Sequence, residues 1–447
     1  MSRAMKDSGI PWIGEIPSHW KIKRLKYSCD LFGRIGFRGY TADDLVGKGE
    51  GAITLSPTNM DDIHLDLSHC SYLSWAKYYE SPEIMVNNGD VLLVKTASVG
   101  KCVFVEDLPM EATVNPQILV LKNHHDNAKY LAYIFQTPEG QCYIDTTKGG
   151  STIFTISQDK IGNYAFAFPP IQEQEEIVAF LDRKCREIDN MVSLHENMIV
   201  ELKEYRQSVI TEVVTKGLNP DVSSKDSGIK WIGLIPDGWR LCRVKDVLED
   251  GKDGIKIGPF GSALTNKIED GGQYKIYGQW NIVGRDFSEG KNYISKQTYD
   301  ELQSYCIFSG DVLVSLMGTV GKCAVIPEGI QKGIIDSHVI KIRLNDRIMP
   351  SFFEYIYDKD NSWFVFEQIQ RMKKGSIMDG LNSSIVKNLF LLLPPRKEQQ
   401  DIVNYLDAKC SQIDTLISLK QSKIDALKEY KKSIIYEYVT GKKEVNG

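Results

Sequence analysis

FPPIQEQEEIVAFLDRKCREIDNMVSLHENMIVELKEYRQSVITEVVTKGL, Phe168 to Leu218, is the stretch whose reading decides the fold. Two prolines open it, and neither Pro nor Gly recurs until Gly217. Apolar residues return at helical spacing: Ile177, Leu181, Ile188, Val192, Ile199, Leu202, Val209 and Val213. The spacing predicts a single apolar stripe on one long helix. At 1.5 Å rise per residue, about 45 residues span roughly 65–70 Å, so the helix must project from a domain or connect two.

The stretch returns at the C-terminus as LPPRKEQQDIVNYLDAKCSQIDTLISLKQSKIDALKEYKKSIIYEYVTGKK, Leu393 to Lys443, at a constant offset of 225. Pro169 matches Pro394, Glu173 matches Glu398, Leu181 matches Leu406, Cys185 matches Cys410 and Tyr205 matches Tyr430. Two one-sided helices in one chain can bury their stripes against each other. Residues 168–218 hold ten acidic against six basic side chains, and residues 393–447 hold eight against ten. That difference favours pairing within the chain. His195 and Lys420 interrupt the stripe at matching places, which reads as a device for register or orientation.

The repeat extends beyond the helices. KDSGIPWIGEIPSHWKIKRLK (Lys6–Lys26) parallels KDSGIKWIGLIPDGWRLCRVK (Lys225–Lys245) at offset 219. NNGDVLLVKTASVGKCVFVE (Asn87–Glu106) parallels FSGDVLVSLMGTVGKCAVIP (Phe308–Pro327), and KGGSTIFTISQDKIGNYAFAFPP (Lys148–Pro170) parallels KKGSIMDGLNSSIVKNLFLLLPP (Lys373–Pro395). The layout is motif, globular region, long helix, twice over, with expected boundaries at 1–167, 168–218, 219–392 and 393–447. Within the first globular region, Asp90–Val94 and Cys102–Val105 flank a predicted hairpin turn, Gln117–Leu121 is a strand, and Asn127–Gln136 has helical spacing. In the second, Phe352–Arg371 is the predicted helical segment. The fold class expected is α+β: two tandem mixed α/β domains separated by two long helices that form an intramolecular antiparallel coiled coil, in a pseudo-twofold repeat.

Composition bounds the function. A chain of 447 residues is too long for one core. The apolar runs are far too short to span a bilayer, and MSRAMKDSGI is no signal segment, so a cytoplasmic protein with no membrane association is expected. Nine scattered cysteines, with no CxxC, point to reduced thiols. A net charge of −5 does not by itself indicate a nucleic-acid binder.

The two helix starts Pro169-Pro170-Ile171-Gln172-Glu173-Gln174 and Pro394-Pro395-Arg396-Lys397-Glu398-Gln399, the repeated SGIxWIGxIPxxW motif and the paired GDVLxxxxxxVGKC segments resemble the specificity subunit of type I restriction-modification systems. The resemblance covers essentially the whole chain. It implies two target recognition domains, each reading one half of a gapped, asymmetric double-stranded DNA sequence. The helices would set the spacing between the halves and dock two methyltransferase subunits. Two restriction (motor-nuclease) subunits would complete the complex. S-adenosylmethionine, ATP and magnesium would belong to those partners, and this chain would hold no cofactor and no metal.

Phosphate contacts want Lys, Arg and glycine-rich loops, and base contacts want paired donors and acceptors. In the first repeat these criteria select Arg34, Arg38 and Tyr40, then Lys95, Thr96 and Ser98, then Lys148, Ser151 and Thr152. In the second they select Lys256 and Ser262, Gln279 and Asn281, Ser315 and Thr319, and Arg371, Lys373, Lys374 and Ser376. Charge reversal of Arg34 with Arg38 is expected to weaken DNA binding without unfolding the chain.

Catalytic constellations are not evident in the sequence. Ser98–Cys102 and Gly318–Cys323 lack the GxxxxGK[ST] spacing of a phosphate loop. The Phe-Pro-Pro and Leu-Pro-Pro segments lack the Asn or Asp of an adenine methyltransferase motif, and His124-His125 reads as a surface turn. The chain is therefore expected to be no enzyme alone. The other reading is a non-catalytic coiled-coil scaffold that binds protein partners without reading DNA; two large globular regions weigh against it. If the domains are modular, exchanging residues 239–387 for the same region of another such subunit changes one half of the methylated target only. A change in both halves would contradict modularity.

Overall fold

The computed structural model describes residues 3–11, 13–34, 36–150, 153–251, 254–260, 264, 267–269, 271–373 and 381–445, apart from the side chains of Phe37, Met372 and Lys373. Two compact units make up the chain: Met1–His195 with Ser422–Gly447, and Glu196–Gln421. The division falls inside both long helices, which span Ile171–Lys216 and Arg396–Val439. Each unit thus holds the start of one helix and the end of the other.

In the first unit, a four-stranded antiparallel sheet runs in the order Cys102–Phe104, Val91–Val94, Ile118–Lys122, Asp30–Gly33. Val91–Val94 is fully buried, as an apolar run in a covered inner strand should be. The predicted hairpin is present, with Val91 opposite Phe104 and Leu93 opposite Cys102. A five-stranded sheet follows the order Met85–Val86, Ala112–Val114, Gly51–Leu55, Ser71–Ser74, Leu45–Val46. In it Ala112–Val114 and Gly51–Leu55 run parallel. The expected helix forms over Ala128–Gln136, its first turn capped where the Asn127 side chain accepts the Tyr130 N–H at 3.0 Å.

Strand Ala165–Phe168 pairs with Lys21–Arg24 and delivers the chain to Pro169-Pro170 and the first long helix. One side chain then ties that helix to the globular part. Gln174, 1% exposed, accepts the Asn127 N–H at 2.8 Å and donates to Asp126 Oδ1 and Pro169 O, each at 2.9 Å. Two turns on, Asp182 Oδ1 accepts from the Tyr133 hydroxyl at 2.7 Å. The end of the second helix runs antiparallel alongside. Phe180 packs on Tyr438 with ring centres 4.3 Å apart, and farther along Asp189 Oδ2 receives the Lys431 ammonium at 2.8 Å.

The second unit repeats these parts. Its four-stranded sheet has the matching order Cys323–Val325, Val312–Ser315, Val339–Ile342, Ile255–Ile257. Strands Tyr274–Tyr277 and Gly333–Ile335 form the parallel pair. Gln399, fully buried, accepts the Met349 N–H at 2.8 Å and donates to Arg347 O at 2.9 Å and Pro394 O at 3.0 Å. The Tyr355 hydroxyl donates to Asp407 Oδ1 at 2.6 Å, and Arg206 reaches Asp414 at 3.4 Å and the Asn361 side chain at 2.9 Å. Of the predicted stripe, Ile177, Leu181, Ile188, Val192, Ile199 and Val213 are buried, and Leu202 and Val209 are partly so.

The repeated tryptophan motif is a hairpin that closes over a helix end. Met5–Asp7 pairs with Glu15–Pro17, and Ser224–Asp226 pairs with Leu234–Pro236. Trp20 and Trp239 are buried beneath. Gly441 and Gly217 terminate the helices there at φ +74° and +80°. A Cβ on Gly441 would lie 2.6 Å from Pro17 and 3.0 Å from Trp20, so only glycine fits both the left-handed turn and the contact.

One expectation needs correction. Phe352–Arg371 is not one helix but two, Pro350–Tyr357 and Trp363–Lys373. Asp358 ends the first, its carboxylate accepting the Cys323 and Asp360 N–H groups at 2.9 Å. The Ser362 hydroxyl then accepts the Phe364 N–H at 3.2 Å and opens the second. Short polar side chains that bond nearby backbone broke a pattern that periodicity alone read as continuous.

Gln174→Leu or Gln399→Leu is expected to leave buried donors and acceptors unpaired and to lower the local unfolding free energy of that unit by roughly 2–4 kcal/mol. Native-state hydrogen exchange of Tyr130–Phe135 or of Phe352–Tyr357 reads it, with the other unit as internal control. Acid should separate the units too. Burial pushes the Asp126 and Glu173 carboxyls up, but hydrogen bonds from Lys23 and Gln174 to Asp126, and from His19, Arg3 and Trp20 to Glu173, bring both below their ordinary values. Depressed carboxyls stabilise the fold above the unfolded value, and that contribution is lost as pH falls through the folded one. In the second unit burial raises Asp336, Glu354 and Asp358, as it does Glu139 in the first, and their effect on stability has the opposite sign; the lowered Asp286 and Glu301 of the second unit are exposed and contribute little. Exchange protection should therefore fail first in the first unit as the pH drops below about 4.

Candidate nucleic-acid interface

Strand direction gathers one set of loops at one end of each unit. In the first, Val94 lies opposite Ile118 and Gly33 opposite Leu119, while Val114 runs beside Leu55. Loops 34–40, 56–59, 95–101 and 115–117 therefore emerge together. In the second, Ser315 lies opposite Val339, Ile257 opposite Ile340 and Tyr277 beside Ile335. Loops 258–260, 278–281, 316–322 and 336–338 emerge in the same way.

The first unit's four loops carry Arg34, Arg38, Lys95 and Lys101 and no acidic residue, whereas 106–111 at the opposite end carries Glu106, Asp107 and Glu111. The net charge of the whole chain hides this separation. The second unit's four loops hold Lys322, His338 and Asp336, and Lys322 pairs with Asp360. The two ends thus present different electrostatics on one frame.

Not every selected side chain faces outward. Arg34 is 6% exposed; its guanidinium donates to Val114 O and to Thr113 Oγ1 at 3.3 and 3.2 Å, and to Arg38 O at 3.2 Å. It also lies over the Tyr40 ring, and burial lowers its pKa. Arg34 is a loop staple, and its charge reversal would disrupt the loop rather than leave the fold intact, contrary to expectation. Tyr40 is likewise engaged, its hydroxyl 3.3 Å from Thr54 Oγ1. Arg38 is partly exposed and pairs with Glu83 at 3.5 Å.

Lys95 has another character. It is half-buried, burial lowers its pKa, and it makes no ion pair among the described residues. Its Nζ lies 3.3 Å from where a Cβ on Gly33 would sit, so the glycine leaves the amine uncovered. A half-desolvated amine with no carboxylate beside it is suited to an incoming phosphate. Thr96 Oγ1 is 3.1 Å from Thr155 Oγ1, and the Ala97 N–H donates to Phe154 O at 2.9 Å. These bonds hold the loop 95–101 to Phe154 and Thr155. Ser98 is exposed, and Lys148 reaches Asp145 at 2.6 Å and covers the Phe154 ring. Ser151 and Thr152 lie outside the described residues.

In the second unit Asn281 is fully buried. Its Nδ2 donates to Asp286 O and Glu289 O at 2.8 and 2.9 Å, and its Oδ1 accepts the Gly278 N–H at 2.9 Å. Asn59 does the same in the first unit, donating to Asp66 O and His69 O and accepting the Ser56 N–H. Asn281, selected as a base contact, is instead the staple of its loop. Gln279 donates to Thr319 Oγ1 at 2.7 Å, and Thr319 Oγ1 is 2.9 Å from the buried Ser315 hydroxyl, so these three selected residues form one chain of contacts. Lys256 covers the Tyr305 ring, and Arg371 is exposed and pairs with Glu367. Gly261, Ser262, Lys374 and Ser376, with the side chain of Lys373, lie outside the described residues.

Further surface side chains lie at these ends. Ile153 and Phe154 are 62% and 44% exposed beside Lys148. Phe260, Trp280 and Met317 are exposed in the second unit. Asn115 with Gln117, and Asp336 with His338, belong to the same class.

The family model for the type I restriction modification DNA specificity domain matches residues 71–204 and 236–442. The putative type I restriction enzyme MjaX specificity subunit of Methanocaldococcus jannaschii is 23% identical over 441 residues, covering 96% of this chain and 95% of its own. The EcoKI specificity subunit of Escherichia coli is 19% identical, covering 90% and 84%. Among solved structures, a chain described under the structural basis of complex assembly and conformational transition of the type I R-M system aligns with a TM-score of 0.71 at 16% identity, over 95% of this chain and 98% of that one. The HsdS subunit from Thermoanaerobacter tengcongensis aligns with a TM-score of 0.51 at 16% identity, again over 95% and 98%. These two likenesses bear on the fold. The matched family segments take in one stretch of each repeat and most of the 447 residues, and the chain belongs to the type I restriction-modification DNA specificity family.

Proposed function

We propose that the chain is the sequence-reading subunit of a type I restriction-modification complex, and that each repeat reads one half of a gapped, asymmetric DNA target. Residues 1–167 and 219–392 are the recognition domains on this reading, and 168–218 and 393–447 are the spacers between the halves. The observation that carries it is one frame used twice, with the same loop end displayed and different side chains on it. A reader of two unlike half-sites needs that combination, since frame sets position while loops set sequence.

The helices support the docking part of the reading. Met191, Leu194 and Tyr430 are exposed in the first unit, and Leu416, Leu419 and Tyr205 in the second, at a common offset of 225. Exposed apolar side chains repeated in register fit two copies of one partner. Those partners are two methyltransferase subunits, which would carry S-adenosylmethionine, and two restriction subunits, which would carry ATP and magnesium. Among the described residues no group of three or more His, Cys, Asp or Glu side chains is placed to hold a metal, and no helix is long and apolar enough to cross a membrane. The complex would work in the cytoplasm, where its DNA is.

The test is a genome-wide map of methylated adenines in cells that express the methyltransferase with and without this chain. A gapped asymmetric motif that depends on the chain is the expected result. An intact complex with no such motif would favour the scaffold reading.

A further inference from the structure

The two recognition ends share one backbone turn that carries different side chains. In the first unit the Asn115 N–H donates to Leu55 O at 2.8 Å, and in the second the Asp336 N–H donates to Tyr277 O at 2.9 Å. The Gln117 N–H donates to Asn115 Oδ1 at 3.0 Å, and the His338 N–H to Asp336 Oδ1 at 2.8 Å. The Lys95 N–H donates to Gln117 O at 2.8 Å, and the Leu316 N–H to His338 O at 3.0 Å. Ile118 and Val339 then close the turns onto Asn115 O and Asp336 O at 3.2 and 3.3 Å. Four matched bonds fix the backbone, and the sequences Asn-Pro-Gln and Asp-Ser-His differ at every position.

Each turn sits in the middle of its loop end, between the parallel strand pair and the four-stranded sheet, and leads straight into a strand. A side chain there is held by sheet hydrogen bonds on both sides, which gives the rigidity that discrimination needs. The chemistry displayed also differs in kind. Asn115 Nδ2 donates to Gln117 Oε1 at 3.0 Å and fixes the orientation of that amide. The Gln117 NH2 has no protein acceptor among the described residues and its carbonyl keeps a second lone pair, so donor and acceptor lie side by side. That pair matches adenine N7 and N6 in the major groove. His338 is exposed, with Nδ1 3.4 Å from Ser337 Oγ and no partner for Nε2 among the described residues. With Nδ1 accepting from the Ser337 hydroxyl, or with both ring nitrogens protonated beside the Asp336 carboxylate 4.0 Å from Nδ1, Nε2 is a single ring donor that fits the N7 or O6 acceptors of guanine.

We propose that Gln117 and His338 are the equivalent specificity-determining side chains of the two half-sites, Gln117 reading an adenine and His338 a guanine through the major groove. The assignment rests on the proposed function above. Its test compares the methylation motifs of the assembled complex carrying Gln117→Ala or His338→Ala. Each variant is expected to make one base position degenerate, in a different half for each, with discrimination at that position falling about tenfold to a hundredfold. The salt dependence of binding should stay that of the unaltered complex, since no phosphate contact is removed. The isosteric Gln117→Glu keeps the acceptor for Asn115 and exchanges the free donor for an acceptor. If the alanine variant does not assemble, Gln117→Glu should shift the preference at the same position away from adenine. Unchanged motifs in all three variants, or relaxation of both halves by one of them, would overturn the assignment. If the unaltered complex shows no gapped motif, the sequence-reading function itself falls, and the assignment with it.

Discussion

A buried glutamine near the start of each long helix is the constraint on which the rest depends. Gln174 and Gln399 have almost no exposure, and each satisfies three backbone or side-chain groups where helix and globular part meet. A polar amide in such a place is stable only with all its partners present. It therefore specifies one angle between helix and domain, where apolar packing alone would accept several. The tyrosine–aspartate bonds of Tyr133 with Asp182 and Tyr355 with Asp407 hold the same angle two turns farther on. The cations Lys431 and Arg206 then tie the second, antiparallel helix to the first in each unit.

With the frame fixed, variation is confined to the loop ends. Asn59 and Asn281 staple equivalent loops through the same three bonds, although the residues between Ser56 and Asn59 share nothing with those between Gly278 and Asn281. The first end is basic, with an uncompensated Lys95, and the second is close to neutral and carries exposed aromatic and sulfur side chains. One scaffold can thus present two surfaces of different chemistry without any change of core.

Much of this was legible in the sequence because it is periodic or repeated. The long helices follow from apolar spacing, the tandem layout from the offset, and the Val91–Phe104 hairpin from apolar runs around turn residues. Legibility ended where a residue's role depends on what folds against it. Arg34 and Asn281 have the composition of DNA contacts, yet their polar atoms are consumed by backbone carbonyl groups, Val114 O far along the chain for Arg34 and Asp286 O and Glu289 O of its own loop for Asn281. Gln117 and His338 lie in short segments without glycine or a cluster of cations, so neither drew notice. The break at Asp358 depends on the Cys323 N–H, which no helical pattern encodes.

The central claim is that one end of each unit faces DNA. Hydrogen exchange of the assembled complex, with and without a duplex carrying its methylation motif, tests that directly. The account predicts slowed exchange in 95–101 and 115–117 and in 316–322 and 336–338, with 106–111 and 326–331 unchanged. Protection of 106–111 and 326–331, with the four loop segments unaffected, would contradict it.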